Sequence, residues 1–321
     1  MLALALGLSA CSFAGNPQPA DAVTLGTATT LEAAIPFFVA DEQGFFARNG
    51  LAVTLKPYDT GLAAADGLLE GEVDVATAAE YILVGKAFAN APIQALASFD
   101  EVEFAHILGR KDRGIGAIAD LKGKTIGVIK GTNQEFYLGR FLQLHGLSTQ
   151  DVNVVDAGSM AQGSDAILGG RLDALVTLDP YAGTIQSRLG ANAVVWPAQS
   201  SQPSYQVLMA RDQWVAQRPQ TARRLLNAIA QAEDYIAQHP AEAQAIARRR
   251  LGLSDADVAA VWARNDFSLS LDMGLVAAME DEARWMIQNN LAAAPQVPDI
   301  VQYIYVDALQ AVSPDAVNII R

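Results

Sequence analysis

The chain has 321 residues, 51% of them hydrophobic, which is enough to bury the core of one large α/β domain or of two smaller ones. Its formal net charge of −13 argues against a nucleic-acid-binding surface, because such a surface needs clustered Lys and Arg. A single cysteine excludes an intramolecular disulfide, so a folded body must be stabilised by its core.

The chain begins with an apolar run, MLALALGLSAC, that ends at Cys11. A short apolar stretch followed by small residues is typical of a secretory signal peptide and is too short to span a bilayer. The LSAC tetrapeptide resembles the bacterial lipobox, which predicts a signal peptide over residues 1–10 and a lipid on Cys11. An incidental buried cysteine is the alternative. Residues 11–22 are small and polar with Pro and Gly, which favours a flexible tether.

From Val23 onwards, short β-like runs alternate with helical stretches. The first series has four predicted strands: Val23–Thr27, Ala52–Lys56, Val73–Thr77 and Ile93–Ser98. The helices predicted between them are Leu31–Asn49, Gly61–Glu70 and Ala79–Ala89. Strands that alternate with helices of this length predict a parallel sheet covered on both faces.

A loop rich in charge and glycine, Gly109–Gly116, interrupts this pattern, and a second, similar series follows. Its predicted strands are Thr125–Ile129, Val152–Asp156, Ala174–Thr177 and Val194–Trp196. Its predicted helices are Gln134–His145, Ala161–Leu168 and Tyr181–Leu189. A second break at Pro197–Pro203 precedes one more strand, Tyr205–Ala210, and a largely helical stretch up to Leu291.

Two breaks around a central block are typical of an inserted lobe. We therefore expect an α/β protein with two Rossmann-like lobes, one formed by residues 23–108 and 207–321 and the other by residues 109–206. Two chain crossings would form the hinge, and a cleft between hinged lobes is a natural ligand site. In open α/β sheets the ligand binds beyond the carboxyl ends of the strands.

The residues that follow the predicted strands are therefore the candidate ligand contacts. Their side chains can hydrogen-bond, carry charge or stack on a planar ligand, and the set comprises Thr29, Thr30, Glu80, Tyr81, Asp100, Thr132, Asn133, Gln134, Glu135, Asp179 and Tyr181. For each aromatic or acidic member, core packing or a solvated helix start is the alternative role.

Two features of this set bear on the ligand. Thr132 or Asn133 can cap the helix that follows Gly131, and free backbone N–H groups there would accept an oxygen of the ligand. Capping alone is the competing interpretation. Several carboxylates around one cleft would favour a ligand with a positive charge or several N–H donors.

The chain offers few signs of catalysis or of a bound cofactor. No GxxxxGK[ST] or convincing GxGxxG motif follows a strand, which argues against a nucleotide. His106, His145 and His239 are scattered, and none has a cysteine, a second histidine at metal spacing or a GxSxG turn as its partner. We therefore predict no metal, no cofactor and no catalytic residue.

Several segments, taken in order, resemble the solute-binding proteins for nitrate, taurine, aliphatic sulfonates and thiamine-pyrimidine precursors. The segments are PFFVADEQGFFARNGLAVTLKPYDTG (36–61), LLEGEVDVATAAE (68–80), APIQALASF (91–99), ADLKGKTIGVIKGTNQEFYLGRFLQLHGL (119–147), AILGGRLDALVTLDPYAG (166–183), LDMGLVAAMEDEARWMIQNNL (271–291) and IYVDAL (304–309). The resemblance covers nearly all of the chain after the tether. It implies the type II periplasmic binding protein fold, with ligand contacts at Thr29 and Thr30, Glu80 and Tyr81, residues 132–135 and residues 179–181.

The resemblance also implies a function. Such a protein would be the lipid-anchored, extracytoplasmic, monomeric binding component of an ABC importer, serving a permease with a cytoplasmic ATPase. The acidic Glu80, Glu135 and Asp179 favour an amine-bearing or heterocyclic ligand among the classes that this family binds. Two alternatives stay open: a ligand sensor without transport, and an enzyme on the same fold. A fungal relative that makes the thiamine pyrimidine uses a cysteine-rich cluster, which this sequence lacks.

Overall fold

The computed structural model describes residues 20–200, 202–292 and 294–320, so the predicted signal peptide, Cys11 and most of the tether lie outside it. The strands in chain order are β1 (Asp21–Ala28), β2 (Leu51–Tyr58), β3 (Val75–Ala79), β4 (Ile93–Val102), β5 (Ala105–Arg110), β6 (Thr125–Val128), β7 (Asn153–Asp156), β8 (Ala174–Leu178), β9 (Ala193–Pro197), β10 (Ser204–Arg211) and β11 (Asn265–Asp266).

The helices connect these strands and then form most of the C-terminal third. They are α1 (Leu31–Glu42), α2 (Phe45–Arg48), α3 (Gly61–Glu70), α4 (Glu80–Phe88), α5 (Asn133–Leu144), α6 (Met160–Leu168), α7 (Tyr181–Leu189), α8 (Asp212–Gln217), α9 (Pro219–Gln238), α10 (Pro240–Leu251), α11 (Asp255–Trp262), α12 (Met273–Gln288) and α13 (Val306–Val312). None of these helices, within the described ranges, has the length and apolarity that a membrane span requires.

The strands form two sheets with the same internal order. The first sheet runs β11-β4-β10-β3-β1-β2 and the second runs β7-β6-β8-β5-β9. In each sheet three strands are parallel, and the strand beside them, β10 or β5, is antiparallel to both of its neighbours. The expected all-parallel sheets are therefore mixed. The reason is that β10 and β5 each enter from the other lobe, at the carboxyl ends of the parallel strands, and run away from that edge.

The two crossings between the lobes lie at Glu103–Phe104 and between Pro197 and Ser204. The predicted boundaries, 108/109 and 206/207, differ from these positions by a few residues. Residues 105–108 belong to the second sheet because β5 pairs with β8 and β9, and residues 204–206 belong to the first sheet because β10 pairs with β4. Only two residues separate β4 from β5, so the first crossing has no loop composition to mark it.

Gln199 holds the two crossings together. Its side-chain oxygen accepts hydrogen bonds from the backbone N–H groups of Phe104 (2.7 Å) and Ala105 (2.8 Å). Its amide nitrogen donates to the carbonyl oxygens of Val102 (3.0 Å) and Gln202 (3.1 Å). The side chain is buried. One amide therefore satisfies backbone groups on both crossing segments and keeps them side by side.

The predicted helix over residues 31–49 is in fact two helices. α1 ends before Gly44, whose φ of +70° lies in the left-handed region, and α2 begins at Phe45. Glycine adopts this conformation without the steric penalty that other residues meet. The break turns Phe45 and Phe46 into the core, where both are buried.

Helix α12 is the element of the C-terminal third that reaches both lobes. It packs against α4 of the first lobe and also against α5 of the second. The approach to α5 is close: a methyl group on Gly139 would overlap the indole of Trp285. This contact places buried side chains of both lobes at one junction, directly beneath the cleft.

Candidate functional site

A cleft with about 540 Å³ of space not filled by protein atoms lies between the lobes. Both lobes contribute to it, and so does Phe104 of the first crossing. Its polar lining is Thr30, Glu32, Asp59, Thr60, Asn133, Gln134, Thr132 and Gln206, and its other lining residues are Ala28, Ala33, Gly61, Ala78, Ala79, Ile82, Phe104, Ile129, Met160 and Leu178. The space lies at the carboxyl ends of β1, β3, β6 and β8, as expected for an open α/β sheet.

Four helices begin at this cleft. Their N-cap residues are Thr30 for α1, Thr60 for α3, Ala79 for α4 and Thr132 for α5. The Thr60 hydroxyl accepts a hydrogen bond from the Ala63 backbone N–H at 3.1 Å. Helix N-termini carry partial positive charge and free N–H groups, so this part of the cleft favours an electronegative oxygen or nitrogen of a ligand.

The ionisable groups on the described cleft wall are both acids, Glu32 and Asp59, and no Lys, Arg or His lines it. Glu32 is buried, and burial raises the pKa of its carboxyl, while a hydrogen bond with the Thr30 side chain opposes that rise. Asp59 is exposed at the entrance. Carboxylates accept hydrogen bonds, so this side of the cleft favours N–H or O–H donors.

Four of the predicted contacts line the cleft: Thr30, Thr132, Asn133 and Gln134. Thr132 caps α5, and its hydroxyl donates to the Ile129 carbonyl at 2.7 Å. Gln134 accepts from the Ile129 N–H at 2.9 Å, which positions its side chain beside the strand end. Thr29 is exposed next to the cleft and does not line it.

Glu80 and Tyr81 lie beneath the cleft floor and do not line it. Glu80 is buried, and its carboxylate accepts a hydrogen bond from the Ser204 hydroxyl at 3.0 Å. That hydroxyl accepts one from the Asn133 side-chain amide at 3.1 Å. Tyr81 is buried in an aromatic cluster. Glu80 therefore connects to the cleft through Ser204 and Asn133, across the lobes.

Asp179 is part of an ion-pair cluster that bridges the lobes. Its carboxylate pairs with Arg264 of the first lobe and lies 2.9 Å from His106 Nε2 of the second lobe. Neither Asp179 nor the partly exposed Tyr181, on α7, lines the cleft. Asp179 therefore contacts Arg264 and His106 in the position where sequence reasoning expected a ligand.

Asp100 and Glu135 also lie away from the cleft wall. Asp100 is fully buried behind Gln206, its partner in the β4–β10 pair, and neither of its carboxylate oxygens has a hydrogen-bond partner. Glu135 accepts from the Gly131 N–H at 2.7 Å and lines a separate cavity beside Lys130 and Trp285. Glu80, Glu135 and Asp179 were the acids from which an amine-bearing or heterocyclic ligand was expected. None of the three lines the cleft.

Sequence reasoning missed several cleft residues. Asp59 and Thr60 follow the second strand, so the strand-end rule would have found them there. Glu32 stands two residues after a predicted contact, in the first turn of α1. Gln206 and Phe104 carry no such signal, because one lies on the antiparallel β10 and the other in a crossing.

The described residues contain no group of three or more His, Cys, Asp or Glu side chains that could hold a metal ion. The histidines have partners within the protein. His106 belongs to the ion-pair cluster, His145 Nδ1 lies 2.7 Å from the Phe141 carbonyl oxygen, and the His239 ring lies 4.6 Å from that of Tyr235. None of them lines the cleft.

The sequence profile of the family described as NMT1/THI5 like matches residues 32–243. The chain belongs to the NMT1/THI5-like family. One relative is a Brucella abortus protein named as a binding protein, 27% identical over 227 residues that cover 68% of each chain. Another is the 4-amino-5-hydroxymethyl-2-methylpyrimidine phosphate synthase of Uromyces fabae, 26% identical over 67% of this chain and 60% of the relative.

Solved structures confirm the expected two-lobed periplasmic binding protein fold. The alkanesulfonate-binding protein SsuA from Xanthomonas axonopodis pv. citri, bound to MOPS, superimposes with a TM-score of 0.78 over 89% of this chain and 98% of its own, at 18% identity. The aliphatic sulphonate-binding protein SsuA from Escherichia coli gives a TM-score of 0.74 over 89% and 97%, also at 18% identity. At this identity the likeness concerns the fold.

Proposed function

We propose that this chain is the solute-binding component of an ABC importer, which captures a small polar organic molecule and presents it to a permease with a cytoplasmic ATPase. The observation that carries the proposal is the cleft itself, which both lobes line. A ligand held there contacts both lobes at once and so favours their closure. Closure on a ligand is how a permease can distinguish a loaded binding protein from an empty one.

The cleft wall supports one class of ligand in particular. Four helix N-termini provide N–H donors, and Glu32 and Asp59 provide acceptors. Ile82, Phe104 and Met160 add apolar surface for the body of the ligand. An aminopyrimidine offers ring nitrogens as acceptors, an amino group as donor and flat apolar faces. We propose this class over a sulfonate, for which the described wall has no cationic side chain.

The place of action is part of the same proposal. We propose that the protein works as a monomer outside the cytoplasm and is attached to a membrane by lipid on Cys11. The LSAC tetrapeptide and the small, polar residues that follow it support this attachment. Cys11 itself lies outside the described residues.

The second candidate function is catalysis, which the name of the Uromyces relative favours. The described cleft wall contains no Cys, His or Lys, the side chains that most often act as nucleophile or base near neutral pH. A cleft of neutral amides, hydroxyls and two acids is better suited to holding a molecule than to transforming it. Binding is therefore the function that we propose.

A charge-reversal pair tests the cleft. In Asp59→Arg, a long cation replaces an exposed acid at the cleft entrance, and in Glu70→Arg the same change falls on an exposed acid at the far end of α3. We expect 4-amino-5-hydroxymethyl-2-methylpyrimidine to raise the melting temperature of the wild type and of Glu70→Arg by mass action. We expect Asp59→Arg to lose at least tenfold in affinity by calorimetry.

Other outcomes separate the parts of the proposal. If MOPS raises the melting temperature and the pyrimidine does not, the proposed ligand class is wrong and the proposed binding function stands. Equal affinity in Asp59→Arg and Glu70→Arg would remove the cleft as the site. Conversion of the pyrimidine into a product, detected by mass spectrometry, would support the enzyme.

A further inference from the structure

Three hydrogen-bonded side chains lead from beneath the cleft to its wall. The Ser204 hydroxyl donates to Glu80 Oε2 at 3.0 Å, and Asn133 Nδ2 donates to the Ser204 oxygen at 3.1 Å. Glu80 and Ser204 begin α4 and β10 of the first lobe, and Asn133 begins α5 of the second lobe. Glu80 and Ser204 are at most 1% exposed, whereas Asn133 lines the cleft. Two buried residues of the first lobe thus hold a cleft-lining side chain of the second.

The direction of each hydrogen bond follows from the chemistry of the three groups. An ionised carboxylate only accepts hydrogen bonds, and a serine hydroxyl has one hydrogen to donate. Because Ser204 gives that hydrogen to Glu80, its oxygen can only accept from Asn133. The amide must therefore turn Nδ2 towards Ser204. Oδ1 in the same place would bring two acceptors to 3.1 Å with no hydrogen between them.

The charge on Glu80 is what commits the Ser204 hydrogen. Burial raises the pKa of the Glu80 carboxyl to about 7, and hydrogen bonds from the Tyr205 backbone and the Ser204 hydroxyl oppose that rise. At pH 8 the carboxylate is therefore the main form. A buried carboxylate that loses a donor pays a large desolvation cost, so Ser204 stays bound to it.

We propose that Glu80 is a positioning residue, which acts through Ser204 to turn Asn133 so that Oδ1 faces the cleft and accepts an N–H group of the ligand. An asparagine that is free to rotate can present either its NH2 group or its oxygen. With Nδ2 bound to Ser204, this part of the wall accepts a ligand amino group and disfavours a ligand oxygen. The ligand part of this inference rests on the proposed function, and the orientation of the amide does not.

Two matched variants test the positioning. Glu80→Met removes the acceptor of the Ser204 hydrogen and frees that hydrogen for Asn133 Oδ1, so that Nδ2 can turn towards the cleft. Glu233→Met makes the same change at a half-buried acid on α9, whose carboxylate accepts from the Leu269 N–H at 3.0 Å and which does not line the cleft. The control removes a negative charge and leaves the three hydrogen-bonded side chains intact.

Hydrogen exchange measures the orientation of the amide without ligand. NMR of the full chain with 15N-labelled asparagine, at pH 8, reports how fast the Asn133 Nδ2 hydrogens exchange with water, and Asn133→Asp assigns the signal by its loss. We expect exchange in the wild type and in Glu233→Met to be about tenfold slower than in Glu80→Met, because the buried Ser204 oxygen holds Nδ2. Equal rates in the wild type and in Glu80→Met would overturn the proposed orientation.

A matched pair of ligands measures the effect on specificity. The compound 4-amino-5-hydroxymethyl-2-methylpyrimidine has an amino donor where its 4-methoxy analogue has an oxygen acceptor. By calorimetry, we expect the wild type and Glu233→Met to prefer the amino compound about tenfold more strongly than Glu80→Met does. The same preference in all three proteins would show that Glu80 does not set the specificity.

Two further outcomes also give a decision. If the wild type binds neither pyrimidine, the ligand part of the inference is wrong together with the proposed ligand class, and the exchange rates still decide the orientation of Asn133. If Glu80→Met does not fold, Ser204→Ala provides both comparisons, since it removes the acceptor of Nδ2. Slow exchange that persists in Ser204→Ala would then overturn the proposal.

Discussion

The side chain of Asp100 shows how one residue can limit the pH range of this protein. It is fully buried, and burial raises the pKa of its carboxyl well above the ordinary value, with Glu32 adding to the rise and the Asp266 backbone N–H opposing it. The protonated form is therefore favoured in the folded protein. Stability that depends on this proton is present in acid and is lost as pH rises through the raised pKa.

The substitution Asp100→Asn tests this interpretation. An amide resembles a protonated carboxyl in shape and cannot ionise. We expect the free energy of unfolding to stay within about 1 kcal/mol of the wild type near pH 6 and to exceed it by about 1–3 kcal/mol near pH 9. Urea unfolding at both pH values measures the difference. The exposed Asp165→Asn on α6 is the control and should show no such crossover.

At the scale of elements, the contact between α5 and α12 determines how the second lobe meets the C-terminal third. Gly139 allows this approach, because any Cβ there would overlap the ring of Trp285. Trp285 in turn contacts Phe136 and Tyr81, so a shift of α12 would disturb the aromatic cluster. Close packing of α5 on α12 therefore requires glycine at residue 139, although glycine normally weakens a helix interior.

Two glycine-to-alanine variants separate these effects. Gly139→Ala should lower the free energy of unfolding by about 1–3 kcal/mol, since overpacking of a dense contact is destabilising. Gly183→Ala on α7 has nothing within 4 Å of the new methyl group, so helix propensity alone should make it neutral or up to about 1 kcal/mol more stable. Chemical denaturation compares the two. Equal changes in the free energy of unfolding would show that α5 and α12 can move apart without loss of stability.

At the scale of the whole molecule, the ion pair between Asp179 and Arg264 joins the two lobes. Asp179 follows β8 in the second lobe, and Arg264 precedes β11 in the first. Asp179 is 13% exposed and Arg264 is 40% exposed, so solvent screens the attraction and its contribution to global stability should be small. Because the pair joins one lobe to the other, we expect its loss to shift the protein towards a more open form.

Arg264→Ala tests whether this ion pair helps to hold the lobes together. We expect the variant to have a larger radius of gyration than the wild type in scattering without ligand, and to unfold with a free energy lower by about 1 kcal/mol or less. Arg284→Ala removes an exposed arginine whose pair with Glu280 lies within one helix, so it should change neither quantity noticeably. An unchanged radius in Arg264→Ala would show that the hinge and the junction alone hold the lobes.

Local sequence patterns were sufficient for the fold class, because each β-α unit depends on neighbouring residues. Hydrophobic runs of strand length, followed by a capping residue and an amphipathic helix, identified both lobes and the hinge between them. For the same reason Thr30 and Thr132 were found: each caps the helix that directly follows its strand, so its position at the cleft depends on local geometry.

The tertiary structure decided which acids line the cleft. Glu80 has its hydroxyl partner 124 residues away, and Asp179 finds Arg264 at a separation of 85 residues, so neither pairing has a local signal. Gln206 reaches the cleft on a strand that enters from the other lobe. The sequence by itself therefore determined two lobes with a cleft between them. Only the packing of the lobes determined that Glu32 and Asp59 line the cleft, because burial and charge pairing depend on residues far apart in the chain.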